Sequence, residues 1–150
     1  MITVFDVADW FLSKQGMEHK KLQKLCYYAQ AWHCALQGKP LFPDVIEAWV
    51  HGPVVPTLYR KYKSYGWQEI PQVKFDERRL SNTVLEVLGA VYNTYGSFSG
   101  EQLEALTHSE MPWQKARGSK LQPYEICTNP ITLEDMKEFY LKLYQDAQND

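Results

Sequence analysis

Apolar side chains recur every three or four residues along most of this chain, which is the spacing of amphipathic α-helices. The spacing predicts a first helix that ends near Lys14 and a long second helix over Glu18–Gln37. It also predicts helices over Leu80–Tyr95 and behind the capping residues Ser99 and Thr132. Glycines that follow the first three of these segments are typical helix terminators. The pattern therefore indicates a mainly α fold.

Two short segments have the composition of β-strands instead. Ile46–Val50 is rich in residues that favour strands, and Tyr124–Thr128 is a second such segment that could pair with it. A further helix is expected from Pro56 to Gly66. The combined prediction is a compact fold of about six helices with two or three short strands. The polar tail Asp146–Asp150 is expected to fray.

A fixed bend precedes the short helix in the middle of the chain. Gly52 can adopt backbone angles that are closed to other residues, and Pro53 locks its own φ. The bend is expected to expose His51 and its neighbours. The helix behind the bend carries tyrosines at helical spacing together with three basic residues, Arg60, Lys61 and Lys63. This combination is typical of a scaffold that presents a binding surface rather than of a catalytic site.

The composition is that of an ordinary globular protein, with 150 residues, 45% hydrophobic and 23% charged. We expect one domain over residues 1–150. A net charge of −2 disfavours a dedicated nucleic-acid-binding protein, which usually carries a basic excess. Five tryptophans, ten tyrosines and six phenylalanines favour a recognition surface without locating it.

The cysteines and the N-terminus predict a cytoplasmic protein. Cys26 and Cys34 lie about 12 Å apart along a helix, which is too far for a disulfide, and Cys127 leaves an odd number. Free thiols fit a reducing compartment. The N-terminal segment lacks the pattern of a signal peptide, and no apolar run is long enough to span a membrane.

Metal binding and catalysis are not favoured by the side-chain spacing. His33 has no metal-ligating residue three or four positions away, so we expect a hydrogen-bonded core histidine and no metal or cofactor. Cys26 lies on an apolar helix face and is expected to be a small core residue. We therefore expect a protein that is not an enzyme, and a small hydrolase remains a third alternative.

Two segments are candidates for binding another protein, namely the bend around Gly52 and the stretch from His108 to Trp113. Turn geometry and core packing would also explain them, and both interpretations stay open. Aromatic residues and arginine are the types that dominate binding energy at interfaces. The candidate partner-binding residues are Trp49, His51, Gly52, Pro53, Tyr59, Arg60, Lys63, His108 and Trp113. The basic residues could instead face solvent, an acidic partner or a phosphate backbone, so a nucleic-acid-binding regulator is the alternative function.

Three stretches together resemble the Panacea antitoxin-domain family, which includes SocA-like and GepA-like phage-associated proteins. They read KLQKLCYYAQAWHCALQGKPLF, IEAWVHGPVVPTLYRKYKSYG and SGEQLEALTHSEMPWQKAR. The resemblance implies an antitoxin of a prokaryotic or prophage system that neutralises a toxin protein, encoded nearby, through direct contact. The positions that match the family pattern, most of them expected to preserve the fold, are Lys24, Tyr28, Trp32, Trp49, Gly52, Pro53, Val54, Leu58, Tyr59, His108, Pro112 and Trp113.

Overall fold

The computed structural model describes residues 2–149 and has seven α-helices and one two-stranded antiparallel sheet over that range. The elements are α1 Val4–Lys14, α2 His19–Gln37, β1 Glu47–Trp49, β2 Gly52–Val54, α3 Pro56–Tyr62, α4 Asn82–Tyr95, α5 Gly100–His108, α6 Met111–Arg117 and α7 Leu133–Gln148. The mainly α prediction is confirmed. The additional helix is α6, whose first turn contains a proline.

Local capping explains where several helices begin and end. The backbone N–H of Thr3 donates to the Asp6 carboxylate at 3.0 Å at the start of α1. Ser99 and Gln102 form a reciprocal capping box at the start of α5, with hydrogen bonds of 2.8 and 3.1 Å. The long helix α2 ends at Gly38, which has a φ of 75°.

Helix α2 lies at the centre of the molecule and contacts α1, α4, α5 and α7. Two buried amides on this helix also bind the loops beside the sheet. Gln23 accepts a hydrogen bond from the Val55 N–H at 2.9 Å and donates to the Val55 carbonyl at 3.2 Å. Gln30 accepts from the Leu41 N–H and donates to the Phe42 carbonyl, both at 2.7 Å. The central helix therefore fixes the chain on both sides of the hairpin.

The predicted bend is part of a β-hairpin. Strand β2 begins at Gly52, which has a φ of 110°, and Ala48 pairs with Pro53 across the hairpin. Gly52 and Pro53 are buried, so the expectation that the whole bend is exposed is wrong for these two residues. The His51 side chain alone projects into solvent, with 72% of its surface exposed.

The prediction of a strand over Tyr124–Thr128 is wrong. The segment has no strand geometry. The Arg117 guanidinium donates hydrogen bonds to the carbonyls of Gln122 and Glu125, and the chain bends around it. The outer edge of β1 is paired instead by the next residues along the chain. The Ala48 N–H donates to the Asn129 carbonyl at 2.9 Å, and the Ile131 N–H donates to the Ile46 carbonyl at 2.8 Å.

Two further predictions concern His33 and the C-terminal tail. His33 is buried with its Nδ1 2.8 Å from the Lys39 carbonyl oxygen, which confirms a hydrogen-bonded core histidine. Residues 146–148, which were expected to fray, belong to α7, and Asp150 lies outside the described residues. Within residues 2–149, no helix combines the length and apolar character needed to cross a bilayer.

Candidate partner-binding surface

The hairpin and the His108–Trp113 segment, which are distant in sequence, meet in the structure. The Trp113 indole N–H donates to the Trp49 carbonyl at 2.8 Å. The His108 ring stacks on the Trp113 ring with their centroids 3.9 Å apart and their planes 17° apart. The end of α5 and the start of α6 thus support the hairpin from one side.

A row of aromatic rings links the hairpin to α3. The Trp49 ring packs against Tyr59 with centroids 5.0 Å apart, and Tyr59 packs against His19 at 5.8 Å. The Trp49 indole N–H is fixed by a 2.8 Å hydrogen bond to Glu47. Trp49, Tyr59 and His19 are each half-buried, so this row has an accessible edge. Preorganised aromatic edges of this kind are suited to protein recognition.

Burial divides the nine candidate residues into two groups. Six have accessible surface, namely the exposed His51, Arg60 and Lys63 and the half-buried Trp49, Tyr59 and His108. Gly52, Pro53 and Trp113 are buried. The buried three are placed to hold the hairpin in position and not to touch another molecule.

A polar cluster lies beneath the hairpin, formed by Lys20, Lys24, Glu104 and His108, with the exposed His51 of the hairpin at its edge. Lys24 is only 1% exposed, and a Cβ atom at Gly52 would overlap its Cε atom. Glycine is therefore required at position 52 both for its φ and for the close approach of Lys24. The Glu104 carboxylate lies 2.5 Å from the Lys20 ammonium and 3.3 Å from His51 Nδ1.

Burial disfavours the charged forms of Lys24 and His108 in this cluster, whereas the Glu104 carboxylate is stabilised by its neighbours. Burial lowers the pKa of Lys24 to about 7, and the Glu104 carboxylate only partly opposes this. Burial also lowers the pKa of His108. Burial would raise the pKa of Glu104, but Lys20 and His51 outweigh it, so the pKa is lowered. His108 Nε2 is buried without a hydrogen-bond partner among the described residues, whereas Glu104 Oε1 faces the Lys20 ammonium and His51 Nδ1.

A second buried polar group, the tyrosine–glutamate network, joins α2, α7 and the start of α6. The hydroxyls of Tyr28 and Tyr140 each donate to Glu110 Oε1 at 2.8 Å. The Tyr27 hydroxyl lies 3.0 Å from the Tyr140 hydroxyl. Burial raises the pKa of Glu110, and the two tyrosine donors oppose the rise. This network was not predicted, because nothing in the local sequence distinguishes Glu110 from a surface acid.

Arg117 organises the loop that follows α6. Its buried guanidinium donates to the Ala48 carbonyl at 2.9 Å and to the carbonyls of Gln122 and Glu125. The loop consequently has a defined shape and presents two apolar side chains to solvent. These are Tyr124, which is 76% exposed, and Ile126, which is 87% exposed.

Trp67 is the most exposed tryptophan that the structure describes, with 75% of its surface accessible. It directly follows Gly66, which ends a 3₁₀ turn behind α3. The sequence analysis missed Trp67, although a tryptophan beside a helix-ending glycine and polar neighbours was an available signal. Its position extends the accessible surface of the hairpin and α3 along the chain.

The structure also bears on metal binding and on nucleophilic cysteines. Over residues 2–149, no group of three His, Cys, Asp or Glu side chains is arranged to hold a metal ion. All three cysteines are buried free thiols. Burial raises the pKa of the Cys26 thiol and raises that of Cys34 to about 11, so both remain protonated near neutral pH.

Comparisons with known proteins give a consistent result. A family model described as "Antitoxin SocA-like, Panacea domain" matches residues 22–114. Antitoxin SocA from Caulobacter vibrioides (strain NA1000 / CB15N) is 33% identical over 104 residues, which cover 61% of this chain and 55% of that protein. The chain thus spans about half the length of this curated relative, and no solved structure matches it. Since the family model covers more than half of its length, this chain belongs to the SocA-like antitoxin, Panacea domain family.

Proposed function

We propose that this chain is a cytoplasmic antitoxin that neutralises a protein toxin, encoded by an adjacent prokaryotic or prophage gene, through direct contact. The observation that carries the proposal is the family match over residues 22–114, and a 33% identical relative bears the name Antitoxin SocA. The family match includes α2, the hairpin, α3 and α5. The binding unit in this proposal is a single domain over residues 1–150 that needs no cofactor.

The proposed mechanism is occlusion of the toxin by the hairpin and α3. His51, Arg60 and Lys63 are exposed, and Trp49 and Tyr59 offer half-buried ring edges between them. Aromatic anchors supply most of the affinity at such interfaces, and peripheral charges speed the encounter. The accessible edge of His108 completes the contact surface, while Gly52, Pro53 and Trp113 maintain its shape from inside.

The structure supports binding over cysteine-dependent hydrolysis, the third alternative. A cysteine nucleophile must be a thiolate and must be reachable by substrate. Cys26 and Cys34 are buried and have raised pKa values. These properties are typical of cysteines that pack in the interior.

The direct test is co-expression of this chain with the product of the gene beside it. We expect the adjacent gene to arrest growth when expressed alone, because it encodes the toxin. Growth should return when this chain is supplied, and an affinity tag on this chain should recover both proteins. Growth arrest that this chain does not relieve, together with a failure to recover a complex, would contradict the proposal.

The second candidate function is a nucleic-acid-binding regulator that uses α3. It is favoured by three basic residues, Arg60, Lys61 and Lys63, that form no ion pair with a carboxylate of the described residues. Phosphate-driven binding is strongest at low ionic strength. An absence of binding to its own upstream DNA at low salt would eliminate this candidate.

A further inference from the structure

Arg60 in α3 and Lys63 directly after this helix carry exposed positive charge, whereas the charge of Lys61 is felt by the Asp9 carboxylate, whose pKa is raised by burial and partly lowered by this lysine. Several other cations are ion-paired, for example Lys14 with Glu77 at 3.0 Å and Lys115 with Asp135 at 2.9 Å. Arg60 and Lys63 are exposed and have no carboxylate of residues 2–149 within ion-pair distance. The whole chain nevertheless has a net charge of −2, so this positive charge is local.

Lys61 differs from its two neighbours because it also packs on aromatic rings. Its ammonium lies 5.1 Å from the centre of the Phe5 ring and 5.3 Å from that of Tyr62. These contacts hold the side chain against the molecule by cation–π attraction. Arg60 and Lys63 are therefore the residues that can be changed without disturbing internal packing.

Trp67 follows Lys63 by four residues, and its side chain projects into solvent. The chain turns at Gly66, which has a φ of 58°, and the Gln68 N–H donates to the Tyr65 carbonyl at 2.9 Å. A fixed turn thus presents a large apolar side chain, 75% exposed, to solvent. Tryptophan and arginine are the two residue types most enriched among interface residues that dominate affinity.

We propose that residues 60–67, the basic–aromatic segment, bind an acidic segment of a partner protein. Carboxylates of the partner meet Arg60, Lys61 and Lys63, and an apolar side chain of the partner covers the Trp67 indole. The inference rests on the proposed function in that the partner is the toxin. Exposed positive charge at Arg60 and Lys63, with an exposed tryptophan four residues farther along the chain, selects a partner by charge complementarity and apolar contact together.

The same surface is poorly suited to nucleic acid. Affinity for nucleic acid comes largely from the number of phosphates neutralised, and three cations would neutralise only about three. The net charge of −2 and the pI of about 6.1 oppose long-range attraction of a polyanion. Binding of a folded protein segment with a few carboxylates requires only the local positive charge of Arg60, Lys61 and Lys63.

Two variants test the segment, each with a matched control. The charge reversal Arg60→Glu/Lys63→Glu is compared with Lys74→Glu/Lys120→Glu, which reverses two exposed lysines elsewhere in the chain. Trp67→Ala is compared with Tyr124→Ala, because the two aromatic side chains are 75% and 76% exposed. Thermal unfolding of all four variants confirms that each is folded before binding is measured.

The first readout is the affinity of each purified variant for the toxin, measured with growth rescue in parallel. We expect the charge reversal to weaken binding by about 10- to 100-fold and Trp67→Ala to weaken it by about 30-fold. Both controls should stay within about twofold of the wild type. Wild-type affinity should also fall as salt is raised, and this dependence should be lost in the charge reversal.

The second readout uses probes that do not depend on the toxin. The probes are a fluorescein-labelled peptide of alternating glutamate and leucine and a single-stranded oligonucleotide of equal length. We expect the peptide to bind the wild type and to lose binding in both test variants. Tighter binding of the oligonucleotide would overturn the inference in favour of nucleic acid.

The two proposals fail in different ways. If the wild type rescues growth and the charge reversal and Trp67→Ala rescue equally well, the basic–aromatic segment is not the contact and the antitoxin proposal stands. A loss confined to Tyr124→Ala would transfer the contact to the loop behind α6 and overturn the inference. If the adjacent gene product is neither toxic nor bound while the peptide binds through Arg60, Lys63 and Trp67, the antitoxin proposal fails, and the segment binds an acidic segment of a protein other than that gene product.

Discussion

Two buried polar groups in this protein are built differently. In the tyrosine–glutamate network, Glu110 accepts hydrogen bonds from two tyrosine hydroxyls at 2.8 Å. In the polar cluster beneath the hairpin, Lys24 is 1% exposed with a pKa lowered by burial, and His108 Nε2 is buried without a hydrogen-bond partner among the described residues. The first is a satisfied network that joins helices, whereas the second holds a buried lysine whose charged form is disfavoured and a histidine nitrogen without a hydrogen-bond partner among the described residues.

The difference indicates that the tyrosine–glutamate network stabilises the fold, whereas the polar cluster supports the proposed binding surface. A fully hydrogen-bonded buried network rigidifies the elements that it joins, whereas an incompletely bonded one costs stability. Natural proteins retain such a cost mainly near functional sites. The costly cluster lies under the hairpin that carries His51 and Trp49, the region to which we assign partner binding.

Removal of the Glu110 carboxylate should produce the largest loss of stability. Glu110→Ala leaves the Tyr28 and Tyr140 hydroxyls without their acceptor, and we expect a loss of about 3–5 kcal/mol in the free energy of unfolding. Glu110→Gln keeps an acceptor oxygen and should cost less than about 1 kcal/mol, since burial already disfavours the charged form. Urea denaturation measures both. Equal losses for the two variants would contradict a hydrogen-bonding role.

Substitution of Gly52 should have the next largest effect. Gly52→Ala introduces a Cβ at a φ of 110° that also overlaps Lys24 Cε, and we expect a loss of about 2–3 kcal/mol. In a Lys24→Ala background this overlap disappears, and the backbone strain and a tight 3.1 Å contact with Thr107 Oγ1 remain. The double-mutant cycle should therefore give a coupling of about 1 kcal/mol. A coupling of zero would mean that Lys24 does not pack against the hairpin as described.

Replacement of Lys24 should have a smaller and opposite effect. The pKa of Lys24 is about 7 in the folded protein against an ordinary value of 10.5. Between these values the unfolded chain binds more protons, so the free energy of unfolding rises with pH. Lys24→Met removes the buried charge and should gain about 1–2 kcal/mol at neutral pH.

The pH dependence of the free energy of unfolding provides a second test of Lys24. We expect wild-type stability to rise between about pH 7 and about pH 8.5, and the Lys24→Met variant to lack this rise. This window lies above the titration of histidine and below that of the buried thiols. A less stable methionine variant with an unchanged slope would contradict this account, because Lys24 would then not be the group that titrates in this window.

Local signals explain what could be predicted from the sequence. Capping by Ser99 and Thr132 and termination at Gly38 depend on residues within one helical turn, and these boundaries match. The error over Tyr124–Thr128 has a non-local cause, because Arg117 occupies carbonyls that a strand would have used.

The position of the candidate site could be predicted from the sequence, but the exposure of its side chains could not. His51, Arg60 and His108 lie where the sequence suggested a surface, yet Trp113 packs inside and Trp67 projects outward. Lys24 resembles an ordinary helix-surface lysine, and its burial depends on the hairpin folding over it. Exposure of this kind depends on packing between segments that are far apart in sequence.

Hydrogen exchange of this chain, alone and with the toxin, tests direct contact at the hairpin and α3. We expect slower exchange of backbone amides within residues 49–67 in the complex, with the amides around Glu110 unchanged because that network is already closed. Slower exchange confined to regions outside residues 49–67, or no difference between the free and mixed samples, would contradict the proposed contact surface.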